Sequence, residues 1–163
     1  AIRALNLGLS ITVAPGGVLG QALTEHGKSG MYLQKRKGFA KLAIKYAIPI
    51  VPVYIFGETL TYKDIPVPFL KSAAKFCAKN IRIGLPTCFG RKGVLPFRPE
   101  NGVVAVVGKP IHPKKNLNPE REKDVCALHA KFVADLKELY EDNKEAYGYG
   151  KEPLFDFSQK DPK

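Results

Sequence analysis

Apolar positions along this chain change their period several times, and each change marks an element. Residues 9–14 (Leu-Ser-Ile-Thr-Val-Ala) are rich in β-branched side chains and stop at Pro15-Gly16-Gly17. That pattern predicts a buried strand delivered into a tight loop. Gly20, Gly27 and Gly30 prolong the flexible stretch, and residues 31–34 fit a short strand. From 36 to 47 the period lengthens. Phe39, Leu42, Ala43 and Tyr46 fall at i, i+3, i+4 and i+7, the single apolar face of a helix, with Arg36, Lys37, Lys41 and Lys45 mostly off it. Pro49 ends that helix, because the residue before a proline avoids the α region. Residues 50–56 (Ile-Val-Pro-Val-Tyr-Ile-Phe) then run without a polar position, as in a strand covered on both faces. Pro52 offers no N–H to a ladder there, which predicts an edge or a bulge. Strand, helix and strand this closely joined predict a βαβ crossover, hence an α/β fold with a mainly parallel sheet and flanking helices.

Prolines punctuate residues 66–99 at 66, 68, 86, 96 and 99. Between them, 69–83 reads as a helix. Lys71, Lys75, Lys79 and Arg82 line up at i, i+4, i+8 and i+11, while Phe69, Ala73, Phe76, Cys77 and Ile81 occupy other sectors. Such a segment either packs as an ordinary amphipathic helix or lies on a membrane surface. Residues 102–108 (Gly-Val-Val-Ala-Val-Val-Gly) read as a strand that Pro110 ends. A last helix is predicted with Asn118 as N-cap, Pro119 in its first turn and Glu120, Glu122 and Asp124 at the positive end of its dipole. Val125, Leu128, Phe132, Leu136 and Leu139 carry the helical period up to about Lys144. From Gly148 onward the chain is polar, and a frayed tail is expected.

Composition narrows the class. With 163 residues the chain has room for one domain and hardly two. Its 45% hydrophobic and 25% charged content excludes wholesale disorder. The longest apolar-or-proline run, residues 47–56, is about half of the roughly 20 residues a spanning helix needs. Cys77, Cys88 and Cys126 share no C-x-x-C spacing, which excludes a zinc ribbon or a thioredoxin-like motif and fits a reducing compartment. Residues 1–27 contain no targeting pattern. The first residue is Ala1, and the chain is expected to be cut from a longer protein.

Charge is concentrated. Residues 28–115 hold 17 Lys or Arg against Glu58, Asp64 and Glu100, whereas residues 116–163 hold 8 basic and 11 acidic residues. A basic block of this density suits nucleic acid, an anionic bilayer surface or phosphorylated small molecules. Two features inside or beside it bear on phosphate. Gly16 and Gly17 let a backbone approach an anion closely, although no Gly-Lys-Ser/Thr follows to make a P-loop. Lys35-Arg36-Lys37-Gly38 opens a helix, where N–H groups and cations together attract an anion. His26, His112 and His129 have no partner at metal-ligand spacing and read as structural or solvent-facing, with His26 as a candidate base in the glycine stretch. No G-x-S-x-G elbow is present. RNA-binding aromatic clusters are absent too, so no nucleic-acid partner is expected.

In order along the chain, Ala14-Pro15-Gly16-Gly17-Val18, Arg36-Lys37-Gly38-Phe39-Ala40-Lys41-Leu42-Ala43 and Val51-Pro52-Val53-Tyr54-Ile55-Phe56-Gly57-Glu58 resemble the type-2 diacylglycerol acyltransferase family. Phe89-Gly90-Arg91, Gly93-Val94-Leu95-Pro96-Phe97, Val106-Val107-Gly108-Lys109-Pro110-Ile111, Pro119 and His129 continue the likeness over roughly residues 10–148. The resemblance implies a glycerolipid-acyltransferase-like core, incomplete at its N-terminus. Residues 1–148 would be the C-terminal portion of the domain and 149–163 a polar tail. It implies transfer of a fatty acyl group from acyl-CoA, as co-substrate and without a cofactor or metal, to the hydroxyl of diacylglycerol, giving triacylglycerol. Monoacylglycerol, wax-alcohol or lysophospholipid acceptors are the alternatives, and a non-catalytic basic lipid- or RNA-binding module is the reading from another class. The implied setting is the cytosolic face of the endoplasmic reticulum membrane, or lipid droplets. The family's catalytic histidine belongs to a His-Pro-His-Gly motif that these residues do not contain, so this chain alone is expected to be inactive. Substrate contacts are expected from Gly16, Gly17, Lys35, Arg36, Lys37, Gly38, Lys41 and Glu58. Lys71, Lys75, Lys79 and Arg82 would face anionic lipid instead. Two positions depart from the family pattern: Gly20 stands where a glutamate is expected, and Ala47 where a glycine is usual.

Overall fold

A computed structural model describes residues 2–85, 87–93, 95–97, 102–150 and 154–156. Pro86, Val94 and Pro99, and tail residues 151–153 and 157–163, lie outside the described residues. The elements in chain order are α1 (Ile2–Asn6), α2 (Gly17–Leu23), β1 (Gly30–Met31), α3 (Gly38–Tyr46) and β2 (Val53–Phe56). A 3-10 turn (Glu58–Leu60), β3 (Lys63–Asp64), α4 (Pro68–Asn80) and β4 (Cys88–Phe89) follow, then β5 (Val104–Val107), α5 (Glu122–Asn143) and β6 (Phe155–Asp156).

The long helix α5 organises the core. Val125, Leu128, His129, Phe132, Leu136 and Tyr140 recur at helical spacing and are all buried. One part of this stripe meets α3, where Ala40, Ala43 and Ile44 are buried, and another part meets β2. The expected start of α5 needs correction. Asn118 does not cap it; Arg121 is the N-cap residue and the helix begins at Glu122. Asn118 instead accepts, through its side chain, the Glu120 N–H at 2.9 Å, a local Asx turn that competes with helix at this point.

β2 and β5 pair antiparallel with Val53 opposite Val107 and Phe56 opposite Val104. Beyond Pro52 the register slips. Gly108 N–H donates to the Pro52 carbonyl at 2.8 Å, whereas the next bridge joins Ile50 to Ile111. Two residues on one strand therefore oppose one on the other, the bulge that a proline inside an apolar run predicts. On the inner face, Phe56 stacks on Tyr140 with ring centroids 5.6 Å apart, and Tyr54 meets Tyr140 edge-on at 5.0 Å. On the outer face, Val53, Ile55 and Val107 are exposed, so β2 is covered on one side rather than both.

Three further expectations differ from the structure. Residues 9–14 belong to no ladder and are largely exposed, because strand formation needs a hydrogen-bonding neighbour that the described residues do not supply. The two strands of the expected βαβ unit lie in separate two-stranded ladders, β1 parallel with β6 and β2 antiparallel with β5. The described part of the tail is not frayed. Tyr149 is buried and its hydroxyl accepts the Gly57 N–H at 2.9 Å, Leu154 packs on the core, and β6 pairs with β1. Aromatic residues hold down a segment whose overall polarity points the other way.

α4 packs mainly on α2. Ala78 joins Leu19, Leu23 and Tyr32 in a second small core, and Ala74 is fully buried. No helix among the described residues is long and apolar enough to cross a membrane.

Candidate functional site

A cavity of about 1360 Å3 opens between residues 9–14, the Pro15-Gly16-Gly17 turn, β1, α3 and the loop after β2. Its walls are largely apolar: Leu9, Ile11, Val13, Met31, Leu33, Phe39, Phe132 and Leu136 all contribute. Polar groups gather at one end, from His26, Glu58, Thr59, Tyr62 and Asp64. Thr59 Oγ1 is the buried side-chain polar atom without a hydrogen-bond partner among the described residues, and Thr59 lines this same cavity.

Of the residues expected to touch substrate, Gly16, Gly17 and Glu58 line the cavity. Gly16 precedes α2 and Gly17 opens it. A Cβ on Gly16 would stand 3.8 Å from the Cβ of Tyr32, and one on Gly20 3.5 Å from it, so α2 rests on Tyr32 through its glycines. Gly20 thus lines the cavity against Tyr32. Glu58 starts the 3-10 turn directly after Gly57.

Lys35, Arg36, Lys37, Gly38 and Lys41 do not line the cavity. Arg36 comes nearest in kind: its guanidinium lies over the Tyr32 ring, 5.3 Å from the centroid, on the residue that carries the glycine turn. Lys37 and Lys41 turn toward the opposite helix. Lys37 Nζ donates to Cys126 Sγ at 3.1 Å and Glu122 Oε1 at 3.3 Å, and Lys41 Nζ to Glu120 Oε2 at 2.9 Å. The bond to Cys126, and after it the one to Glu122, raises the Lys37 ammonium above its ordinary pKa. The bond from Lys41 lowers the Glu120 carboxyl. These are solvent-exposed pairs, which water and salt screen, so a polyanion can compete for the cations. The glycine turn and the cationic helix start are neighbours through Tyr32, against which Arg36 is held.

Sequence reasoning missed a polar cluster at the cavity's end. His26 Nδ1 lies 2.6 Å from the Tyr62 carbonyl oxygen. A carbonyl only accepts, so Nδ1 carries the proton, and in the neutral ring Nε2 keeps its lone pair. The His26 backbone N–H donates to Asp64 Oδ2 at 3.3 Å, and Lys71 Nζ donates to the same oxygen at 2.9 Å. The available signal was Asp64 itself, one of three acids in a strongly basic block. His129 has the structural role expected of it: it is buried, its Nε2 lies 2.9 Å from the Leu33 carbonyl, and its ring packs beside Phe39. His112 is exposed. Among the described residues, no group of three or more His, Cys, Asp or Glu can hold a metal ion.

Comparison with known proteins bears on this arrangement. The model of the family described as diacylglycerol acyltransferase matches residues 3–156. A relative named diacylglycerol O-acyltransferase 1 from Saccharomyces cerevisiae is 34% identical over 158 residues, covering 91% of this chain and 37% of that protein. One named 2-acylglycerol O-acyltransferase 1 from Bos taurus is 31% identical, covering 86% of this chain and 44% of the relative. An acyl-CoA wax alcohol acyltransferase 2 from Mus musculus is 29% identical over the same shares. This chain thus spans about two fifths of the length of these curated relatives. No solved structure matches it. The chain belongs to the diacylglycerol acyltransferase family.

Proposed function

We propose that these residues are part of an O-acyltransferase that moves a fatty acyl group from acyl-CoA to the hydroxyl of a glycerolipid, with diacylglycerol as acceptor and triacylglycerol as product. The observation that carries the reading is the family match over residues 3–156. A largely apolar cavity with one polar end supports it, because an acyl chain needs the first and a reacting ester the second. In the reaction the acceptor oxygen forms a C–O bond with the thioester carbonyl carbon. The C–S bond breaks, and the hydroxyl proton ends on the CoA thiolate. The histidine base implied by the family resemblance lies outside these residues, which contain no His-Pro-His-Gly stretch. A mainly parallel acyltransferase-like sheet in the complete domain is part of this proposal. So is a setting at the cytosolic face of the endoplasmic reticulum or a lipid droplet.

Gly16, Gly17 and Glu58 face the substrates in this reading. Arg36, with Lys35 and the Gly38 end of α3 beside it, meets the CoA phosphates. Lys37 and Lys41 join by exchanging Glu122 and Glu120 for phosphate oxygens. The test uses full-length protein, labelled acyl-CoA and a panel of diacylglycerol, monoacylglycerol, long-chain alcohol and lysophospholipid. Labelled triacylglycerol is the expected product. A different dominant product overturns the acceptor, and no transfer to any hydroxyl lipid overturns the enzyme. Arg36→Ala is expected to weaken acyl-CoA binding about tenfold or more, the loss of one charge-assisted contact. Lys41→Ala should do less, since Lys41 is already engaged with Glu120. Equal effects from the two would remove Arg36 from its special place.

A further inference from the structure

Helix α4 keeps two large apolar side chains outside the core of the described residues. Its inner face is Ala74 and Ala78, buried toward α2. At about 100° per residue, Phe69 and Phe76 fall nearly opposite those alanines, two turns apart on one line. Both are exposed, Phe69 at 79% and Phe76 at 63%. Ile81 and Ile83, directly after the helix, are more than half exposed as well. A lone exposed apolar residue needs no explanation, but four large ones within 15 positions form a patch.

The surrounding charge says what the patch fits. Residues 65–99 contain no Asp or Glu and seven Lys or Arg. Lys79 falls beside the phenylalanine line on the helical wheel, Lys75 lies farther round toward the packed side, and Arg82 sits between the two exposed isoleucines. Phenylalanine and isoleucine carry no polar handle for a hydrogen-bonding partner. Cations on long stems beside an apolar line place their charges at phosphate level while the rings enter the acyl region. We infer that the Phe69–Phe76 face of α4, continued by Ile81 and Ile83, is a docking surface for an anionic phospholipid bilayer, lying in the plane of the interface rather than crossing it.

This deepens the membrane setting proposed above and does not depend on the acyl transfer, because binding is read without any reaction. The chain has no tryptophan, so Phe69→Trp supplies a single reporter at the exposed end of the line. The probes are vesicles of phosphatidylserine with phosphatidylcholine, and of phosphatidylcholine alone. The emission of the introduced indole is expected to shift to the blue on the anionic vesicles, to be quenched by brominated acyl chains, and to recover as salt screens the attraction. Phe69→Ser with Phe76→Ser is expected to cut co-sedimentation with anionic vesicles at least about tenfold. Both side chains are exposed, so the fold has no reason to fail, and circular dichroism checks that. Val53→Ser with Val107→Ser, on the other exposed apolar face, should leave vesicle binding unchanged.

Three results overturn the inference: an F69W emission spectrum indifferent to anionic vesicles, vesicle binding that survives loss of both phenylalanines, or binding lost only with the valine pair. A blue-shifted F69W spectrum without vesicles, together with a dimer in sedimentation, overturns it too, since the face would then belong to a second copy. Vesicle binding without acyl transfer by the full-length protein would sink the enzymatic reading alone.

Discussion

Gly57→Ala tests the junction between β2 and the cavity. Gly57 has φ +83°, a conformation that costs an L-residue roughly 1–2 kcal/mol. The larger effect is steric. A Cβ there would stand 2.1 Å from the Gly102 carbonyl oxygen and 3.3 Å from the Val103 Cα, so the backbone at the end of the β2–β5 ladder must separate. That movement also pulls on two anchors. Phe56, 2% exposed, is held among Tyr54, Tyr140, Tyr147 and Tyr149. The Gly57 N–H donates to the buried Tyr149 hydroxyl at 2.9 Å, and losing a buried bond of this kind costs roughly 1–3 kcal/mol. The backbone and hydrogen-bond costs together come to about 2–5 kcal/mol before the steric displacement is added, a large part of the roughly 5–15 kcal/mol that holds a typical domain folded. At roughly 2–4 °C per kcal/mol for a chain of this size, Tm should fall by on the order of 10 °C. Gly93→Ala is the control. Its φ is +91°, but nothing lies within 4 Å of the added Cβ, so only the backbone cost of about 1–2 kcal/mol remains. Thermal unfolding followed by circular dichroism measures both. If the two variants lose stability equally, the close approach of Gly57 to Gly102, and with it the placement of Glu58, is wrong.

Two other perturbations have signs that the structure dictates. Ala47 caps α3 in the left-handed conformation (φ 51°, ψ 38°) and is exposed, so Ala47→Gly should stabilise by about 0.5–1 kcal/mol; a Tm that stays level or falls would contradict that cap. Burial pushes the Tyr54 hydroxyl up to about 12, partly opposed by its hydrogen bond with Ser29. The unfolded chain releases that proton near pH 10, so the contribution is whole below about pH 10 and is lost as pH rises to about 12. Urea unfolding across that window should show a shallower decline for Tyr54→Phe than for the parent chain, and identical slopes would refute the burial assigned to Tyr54.

Much of the helical structure is legible in the sequence because its signals are local. The i, i+3, i+4, i+7 spacing of Phe39, Leu42, Ala43 and Tyr46 marks α3, and the stripe from Val125 to Leu136 marks α5. Pro52 announces the bulge, since a missing N–H is a property of one residue wherever it sits. The left-handed φ of Ala47 is a conformation that glycine adopts without strain, and it shows only once the helix end is placed. Gly16, Gly17 and Glu58 are picked out from the sequence as candidates, and all three line the cavity.

Only the tertiary structure decided which surfaces meet. Residues 9–14 have strand-like composition, yet a strand exists by virtue of its neighbour, and the described fold brings none alongside. Lys37 and Lys41 look like free phosphate ligands until the chain returns 85 and 79 residues later with Glu122 and Glu120. His26, Tyr62, Asp64 and Lys71 share no motif; one hydrogen-bonded cluster assembles them from the end of α2, β3 and α4. The face of α4 that packs is likewise set by α2, which accepts two alanines and leaves both phenylalanines outside. Period and composition record what each residue does to its immediate neighbours, whereas partners far along the chain are chosen by the burial and charge balance of the whole fold.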